Sequence, residues 1–378
     1  MRSPIHRLRK ESFVILGAMS ISLLLGTFSI FRKLESPSYD LYVRFSATKE
    51  LSDIAIVCIT DNDYRQIFSG RSPLDPQKLK TVIDAIARGN PSAIGVDIDT
   101  SSLDFQRLVP SRAWPPIIWA RNAVFSNREG KHLLFAVLGG QSPPYSGVIS
   151  FKVDPDKTLR SYTDYVNTSA GSFPTFPRAV VSALANDNTL RAGKTYEELL
   201  IKFSRGTNAP NRYKLPASMV LNLSEGEGWM TEGPLTGRIV LLGGDYNASD
   251  EHLTPLGWML GVEVLANIVE TEMGGGGIRP PNKYLLVVLA AMNAIILLVL
   301  FHFFGLRNAL LITLFATPVL SLGCSYLLSG SFFHWVYFTL ILLCVLTHIL
   351  ATKLHAHIKS SVSRVPDRAS LPSDPTSS

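Results

Sequence analysis

With 378 residues, 46% of them hydrophobic, and a formal net charge of +6, the chain is too long for one small domain and more apolar than an ordinary soluble protein. Mean hydropathy is +0.20, and the apolar excess is gathered into runs, which is the pattern of membrane segments. The positive balance does not argue for nucleic acid: residues 32–283 carry 27 Lys+Arg against 27 Asp+Glu, so all of the excess lies outside them.

Four uncharged apolar runs, residues 13–31, 284–304, 309–328 and 332–350, each hold about the 20 residues a helix needs to cross a hydrocarbon core. The first follows a basic flank (Arg2, Arg7, Arg9, Lys10) that suits a signal peptide or a signal anchor. Phe31-Arg-Lys-Leu-Glu35 offers no small-x-small cleavage site, so a retained anchor is expected. The excess charge sits in the first twelve residues, at Arg307 and after Leu350, and positive segments stay cytoplasmic. Four crossings put all three on one side. The expected layout is a cytoplasmic N-terminus (1–12), a first span (13–31), an extracytoplasmic domain (32–281) and three further spans (284–304, 309–328, 332–350). Residues 351–378 follow as a cytoplasmic tail, Ser/Pro-rich and disordered at its end. His302, His334 and His348 lie near span ends, and Lys353, His355, His357 and Lys359 read as a juxtamembrane lipid anchor.

Within 32–281, Ile54–Thr60 is a continuous apolar run ending in Asp61-Asn-Asp63, as expected of a strand buried on both faces. Cys58 within it reads as a small buried apolar residue rather than a reactive thiol. Asp75-Pro76 opens a helix with an N-cap and a first-turn proline, Leu79, Val82, Ile83 and Ile86 mark its buried face, and Gly89 ends it. Residues 93–98 form a second buried strand finishing at Asp97 and Asp99. The spacing predicts a βαβ unit with parallel pairing. Further strands are expected at 115–120 and 132–138, and at 148–153 and 160–166 around an Asp154-Pro-Asp-Lys157 turn. A helix is expected at 176–185, strands at 218–223 and 238–243, and a helix at 261–273 burying Val262, Leu265, Ala266 and Val269. Gly274 to Gly277 and Arg279-Pro-Pro281 read as a flexible, then stiff, linker. The fold class is α/β: a mainly parallel, doubly-wound-like extracytoplasmic domain with four transmembrane α-helices, one N-terminal and three C-terminal.

That order resembles the cyclase/histidine-kinase-associated sensory extracellular domain of the second type (CHASE type 2). Ser38-Tyr-Asp-Leu-Tyr-Val-Arg-Phe45 is similar to the family's short motif after the first span. Ile54 to Asp61 resembles its first strand, Asn90-Pro-Ser-Ala-Ile-Gly-Val-Asp97 its second, and Asp154-Pro-Asp-Lys-Thr-Leu-Arg160 its Asp-x-Asp-Gly-x-x-Arg turn. Gly237-Arg-Ile-Val-Leu-Leu-Gly243, Asp250-Glu-His-Leu-Thr-Pro255 and Gly261-Val-Glu-Val-Leu-Ala-Asn267 resemble its closing block. Asn90 and Lys157 stand where the family carries Gly. The resemblance implies a bacterial sensor in the inner (cytoplasmic) membrane, its domain in the periplasm or exterior and both termini cytoplasmic. Output usually comes from an attached catalytic domain. The tail is too short for one, so a separate cytoplasmic or membrane partner is expected to supply output.

Ligands of parallel α/β sheets collect beyond the carboxyl ends of the strands. Asp61, Asp63, Asp97, Asp99, Gly243 and Asp245 are delivered there, and Asp250, His252 and Thr254 follow close behind, so these residues are expected to line a pocket for an extracytoplasmic ligand. The competing reading is that the acids cap helices and turns. Arg160 either clamps an anion or pairs with Asp154 across its turn. His132 and His252 have no ligand-like spacing, and Gly243-Gly244 is followed by no Gly-x-Gly-x-x-Gly pattern, so no metal or cofactor is expected. No Ser/His/Asp set can be assembled, and the expectation is a receptor rather than an enzyme. A structural or assembly subunit of an envelope complex is the rival, and a homo-oligomer is left open. The layout is checked by fusions: alkaline phosphatase joined within residues 186–197 should be active and joined after residue 378 inactive, and the reverse pattern would invert the topology.

Overall fold

The computed structural model describes residues 39–40, 43–44, 53–109, 111–128, 130–169, 171–185, 198–204, 214–226, 228–247 and 250–278, with single residues at 308 and 354. The four apolar runs and the Arg279-Pro-Pro281 linker lie outside them. Among the described residues no helix is long and apolar enough to cross a membrane. Contacts divide the chain into Asp40–Pro280, which holds nearly all the described residues, and a unit of Met1–Tyr39 with Pro281–Ser378.

Six strands form the centre of Asp40–Pro280: β1 (Ile54–Thr60), β2 (Ala93–Asp97), β3 (Ile117–Arg121), β4 (Ser146–Val148), β5 (Lys214–Pro216) and β6 (Ile239–Asp245). They lie in the order β5-β1-β6-β2-β3-β4, every pair parallel. A parallel sheet has to be covered on both faces, and the uninterrupted apolar runs of β1 and β6 serve this. Ala55, Val57, Ile59, Val240 and Leu242 enter one core, while Ile54, Ile56, Cys58, Ile239 and Leu241 enter the other. Five of the helices among the described residues bear on the sheet, in chain order α1 (Asp61–Gln66), α2 (Pro76–Arg88), α3 (Phe176–Leu184), α4 (Ala217–Leu223) and α5 (Gly261–Met273). The first core takes Leu79, Val82, Ile83 and Ile86 of α2 with Ala217 and Val220 of α4. The second takes Phe176 and Val180 of α3 with Val262, Leu265, Ala266 and Val269 of α5. The domain is therefore a mainly parallel, doubly wound α/β fold.

The helix at α2 forms as expected. The Asp75 side chain accepts from the Gln77 and Lys78 amides at 2.9 and 3.1 Å, Pro76 occupies the first turn, and Gly89 caps the end. Cys58 is a buried free thiol that burial pushes up to about 12, with Lys214 pulling the other way. Asn90 and Lys157, the two positions where the resembling family has Gly, adopt φ of 51° and 65°. The turn geometry is kept there without the usual residue.

Several expectations need correction. β1 and β2 are parallel but do not pair, because β6 runs between them, in register with β1 from Ile54↔Ile239 to Thr60↔Asp245 and with β2 from Ala93↔Ile239 to Asp97↔Gly243. Residues 218–223 are not a strand but most of α4. So short an apolar run carries no decisive period, and its first amides, Ala217 and Ser218, are capped by Asp63 at 3.2 and 3.3 Å. The strand read at 132–138 is Lys131–Leu134, and 160–166 divides into Leu159–Tyr162 and Tyr165–Thr168. These segments build a four-stranded outer sheet with Ala123–Ser126 and Gly171–Pro174, and a three-stranded one with Lys152–Val153 and Leu199–Leu200. Residues 251–260, to which the sequence reading assigns no element, hold the hairpin Glu251–Thr254 with Gly257–Leu260. Gly274 to Gly277, expected as a flexible linker, closes α5. The Gly274 amide donates to the Glu270 carbonyl and Gly276 to Thr271, both at 2.9 Å, and a Cβ on Gly277 would meet Leu199 at 2.8 Å.

Gly147 in β4 lets α3 start directly on the sheet: a Cβ there would lie 2.5 Å from the Phe176 Cα and 2.7 Å from its nitrogen. Gly147→Ala should cost about 1–3 kcal/mol, seen as a lower midpoint in thermal unfolding of the full chain. An unchanged midpoint would contradict the close approach.

Candidate functional site

The strand ends bring the expected acids to one edge, and there they take different roles. Thr60 ends β1 and caps α1. Its hydroxyl accepts from the Asp63 amide at 3.2 Å, while the Asp63 carboxylate accepts from the Thr60 amide (3.0 Å) and hydroxyl (2.9 Å). The same carboxylate caps α4. Burial pushes the Asp63 acid up, but the donors of Ser218 and Thr60 more than offset it and hold it below the ordinary range. Asp63 is a double cap and fully buried. Asp61 accepts the Asn247 amide at 2.9 Å, fixing the chain after β6, and Asp99 accepts the Ser101 amide at 2.9 Å in a local turn. Gly243 is needed for packing: a Cβ there would stand 2.6 Å from the Cβ of Val262 in α5. Asp245 faces Lys214 at 3.6 Å, and Lys214 also reaches Glu263 of α5 at 3.2 Å. Thr254 closes its hairpin, donating to the Gly257 carbonyl at 2.7 Å and accepting from the Leu256 amide at 3.2 Å.

Three residues remain together. Asp97, at the end of β2, accepts no hydrogen bond among the described residues. Burial and then the nearby Asp250 charge push its carboxyl up to about 7, with His252 pulling the other way. Asp250 and His252 pair at 3.1 Å (Oδ1 to Nε2). The Asp250 carboxylate lies against Gly261, where a Cβ would fall 2.0 Å from its oxygen. Asp250 thus sits on the first turn of α5, where negative charge is favoured, and its backbone carbonyl takes the Gly261 amide at 2.8 Å. Beside this cluster Tyr64 and Tyr246 stack, centroids 4.4 Å apart and 5° from parallel. Burial, then Tyr64, Asp97 and Asp99, raise the Tyr246 hydroxyl above its ordinary range. Sequence reasoning passed over both tyrosines, although each follows closely on a strand end. Among the described residues no group of three or more His, Cys, Asp or Glu is arranged to hold a metal.

Arg160 has no N–H left over for an outside anion. Its five N–H groups are all taken: two by Asp40 (2.7 Å each), two by Asp156 (2.9 and 2.8 Å) and one by Asp154 (2.7 Å). The pairing with Asp154 across the turn is as expected. Asp156 and Asp40, the latter from the segment that resembles the family's short motif, are the partners that sequence reading missed. Hydrogen bonding to Arg160 is the main cause that holds Asp156 at about 2. Two residues along the same strand, the Tyr162 hydroxyl donates to Glu272 near the end of α5, and Arg178 reaches the other Glu272 oxygen at 3.2 Å.

Residues 14–307 match the family model described as CHASE2 domain. The chain belongs to the CHASE2 family. The CHASE2 match extends from the first apolar run past the second, and takes in every residue of the strand-end cluster. The family is one of sensory extracellular domains. No curated protein and no solved structure matches the chain.

The raised Asp97 carboxyl has a consequence of definite sign. Unfolded, the group ionises near 3.9. Folded, it holds its proton to about 7, so its contribution is intact below about pH 4 and is lost as pH rises through 7. Asp97→Asn should therefore gain on the wild type by about 4 kcal/mol between pH 4 and pH 8, with the difference level above pH 8. Paired thermal or urea unfolding across that range checks it. A gap that does not change with pH would return Asp97 to an ordinary exposed carboxylate.

Proposed function

We propose that this CHASE2 protein is a receptor, not an enzyme, anchored in a bacterial cytoplasmic membrane. Residues 32–281 would lie outside the cytoplasm and pass a ligand signal to a separate cytoplasmic or membrane partner. The family supports the sensory part. One observation supports the transmitting part: the leading and trailing segments of the ectodomain are both fastened to the strand Leu159–Tyr162. Arg160 holds Asp40 at the leading end, and Tyr162 holds Glu272 at the trailing end. Leu200 of the neighbouring strand pairs with Ile278 through 2.9 and 3.0 Å backbone bonds. Arg44 adds a 3.1 Å bond to the Pro255 carbonyl in the hairpin turn. A shift of this strand would therefore be felt at both connections to the apolar runs.

In this reading the Asp97, Asp250 and His252 cluster is the responsive node. It meets the first turn of α5, and Glu272 lies in the last. Truncating one member of a buried ion cluster is costly, so the informative variant is the mildest. Asp40→Asn frees the leading segment while Arg160 keeps Asp154 and Asp156.

The reading is tested in native membranes with a photo-crosslinking amino acid in place of His355. A crosslinked partner is expected, with its yield changed at least twofold by Asp40→Asn at equal membrane abundance. No partner, or a yield indifferent to Asp40→Asn, would count against the proposal.

A further inference from the structure

A cleft of about 410 Å³ opens between the outer sheet and the Ser150 to Lys152 stretch, away from the strand ends. Its volume is within the range of small-molecule sites. Phe125, on strand Ala123–Ser126, forms one wall and keeps 53% of its surface exposed. It is not loosely held: His132 stands directly across the ladder, and the two rings meet edge to face at 5.2 Å. Phe151 and Tyr165 line the cleft as well, and Tyr165 is itself buried. An aromatic side chain left half in water beside two further rings offers a surface on which a planar ligand can stack.

The polar groups decide the sign of that ligand. Among the described residues the lining contains no carboxylate, but it does contain Lys152 and His132. Lys152 also pairs with Glu198, which is not part of the lining. An ammonium has three donors, so this pair leaves others for a ligand. An anion entering the cleft would meet the ammonium and an imidazole N–H, whereas a cation would meet no carboxylate among the described lining residues. The strand-end cluster, with Asp97, Asp99 and Asp250, has the opposite preference.

Phe151 joins the two places. It lines the cleft, and its ring also meets His252 edge to face at 4.9 Å. His252 is paired with Asp250 on the first turn of α5.

We propose that this cleft binds a small planar organic anion, in class an aromatic carboxylate, stacked on Phe125 and Phe151 with its charge toward Lys152 and His132. The proposal deepens the receptor reading by naming what is sensed and where. It rests on that reading for the consequence of binding, not for binding itself.

The test uses the full chain in lipid nanodiscs and 2-naphthoate as the probe, followed by calorimetry and saturation-transfer NMR, with empty nanodiscs subtracted. Saturable binding is expected. Phe125→Ala and Lys152→Gln, both at exposed positions, should each weaken it at least tenfold. Val124→Ala, on the opposite face of the same strand, should leave it within twofold. The cation of similar shape, 2-naphthylmethylammonium, should bind at least tenfold more weakly than the carboxylate. The proposal falls if naphthoate does not bind saturably, if Phe125→Ala binds as Val124→Ala does, or if the ammonium is preferred. Any of these would leave the crosslinking result at position 355 unaffected, so the two readings fail separately.

Discussion

The ladder of β6 against β1 on one side and β2 on the other is the constraint on which the rest depends. Residues 239–245 pair in register with β1 and residues 239–243 with β2, and the side chains of 239–242 alternate between the two cores. Ile239, Val240, Leu241 and Leu242 are all buried, each stabilising by about 1.5–3 kcal/mol. Because β6 arrives late in the chain, the first βαβ segment cannot close its own sheet. The second face of the sheet is fully covered only when α5, which follows β6 and the hairpin, is also in place. This couples the strand-end cluster to the fold, since Asp97 comes from β2 while Asp250 and His252 come from the segment just after β6.

Elements with strong local signals were legible in the sequence. Ile54–Thr60 reads as a strand from its unbroken apolar run, α2 from Asp75, Pro76 and Gly89, and α5 from the period of Val262, Leu265, Ala266 and Val269. What failed was non-local. No property of residues 93–97 announces that β6 will separate them from β1. Residues 217–223 carry too few turns to show a helical period, and their helix is stabilised by a carboxylate at position 63. The outer strands are two to four residues long, below the length at which alternation is visible. For the site, sequence reasoning placed the acids at the correct end of the sheet but could not rank them. Asp61, Asp63 and Asp99 accept backbone amides and Asp97 does not, and that distinction exists only in three dimensions.

Charge is arranged economically at the two places the chain is fastened. Arg160 is almost wholly buried, with a side-chain exposure of 4%, yet every donor has an acceptor and three carboxylates share it. A buried arginine without them would be a liability. With them it fixes the geometry of Asp40 through two parallel bonds, which a lysine could not reproduce. Glu272 is the mirror case: a buried carboxylate receiving one phenol and one guanidinium.

Between these anchors α5 is a helix with little freedom to bend. It is buried almost all round, from Gly261 to Glu272, with the sheet on one side. On the other, Asn267 and Thr271 accept the Ser204 and Lys202 amides, both at 3.0 Å. Close-packed interiors transmit displacement rather than absorb it, so a helix held this way moves, if it moves, as a unit. Its first turn carries Asp250 against Gly261 and its last carries Glu272 against Tyr162. A protonation or contact change at the strand ends therefore has a mechanical route to the trailing segment that needs no hinge.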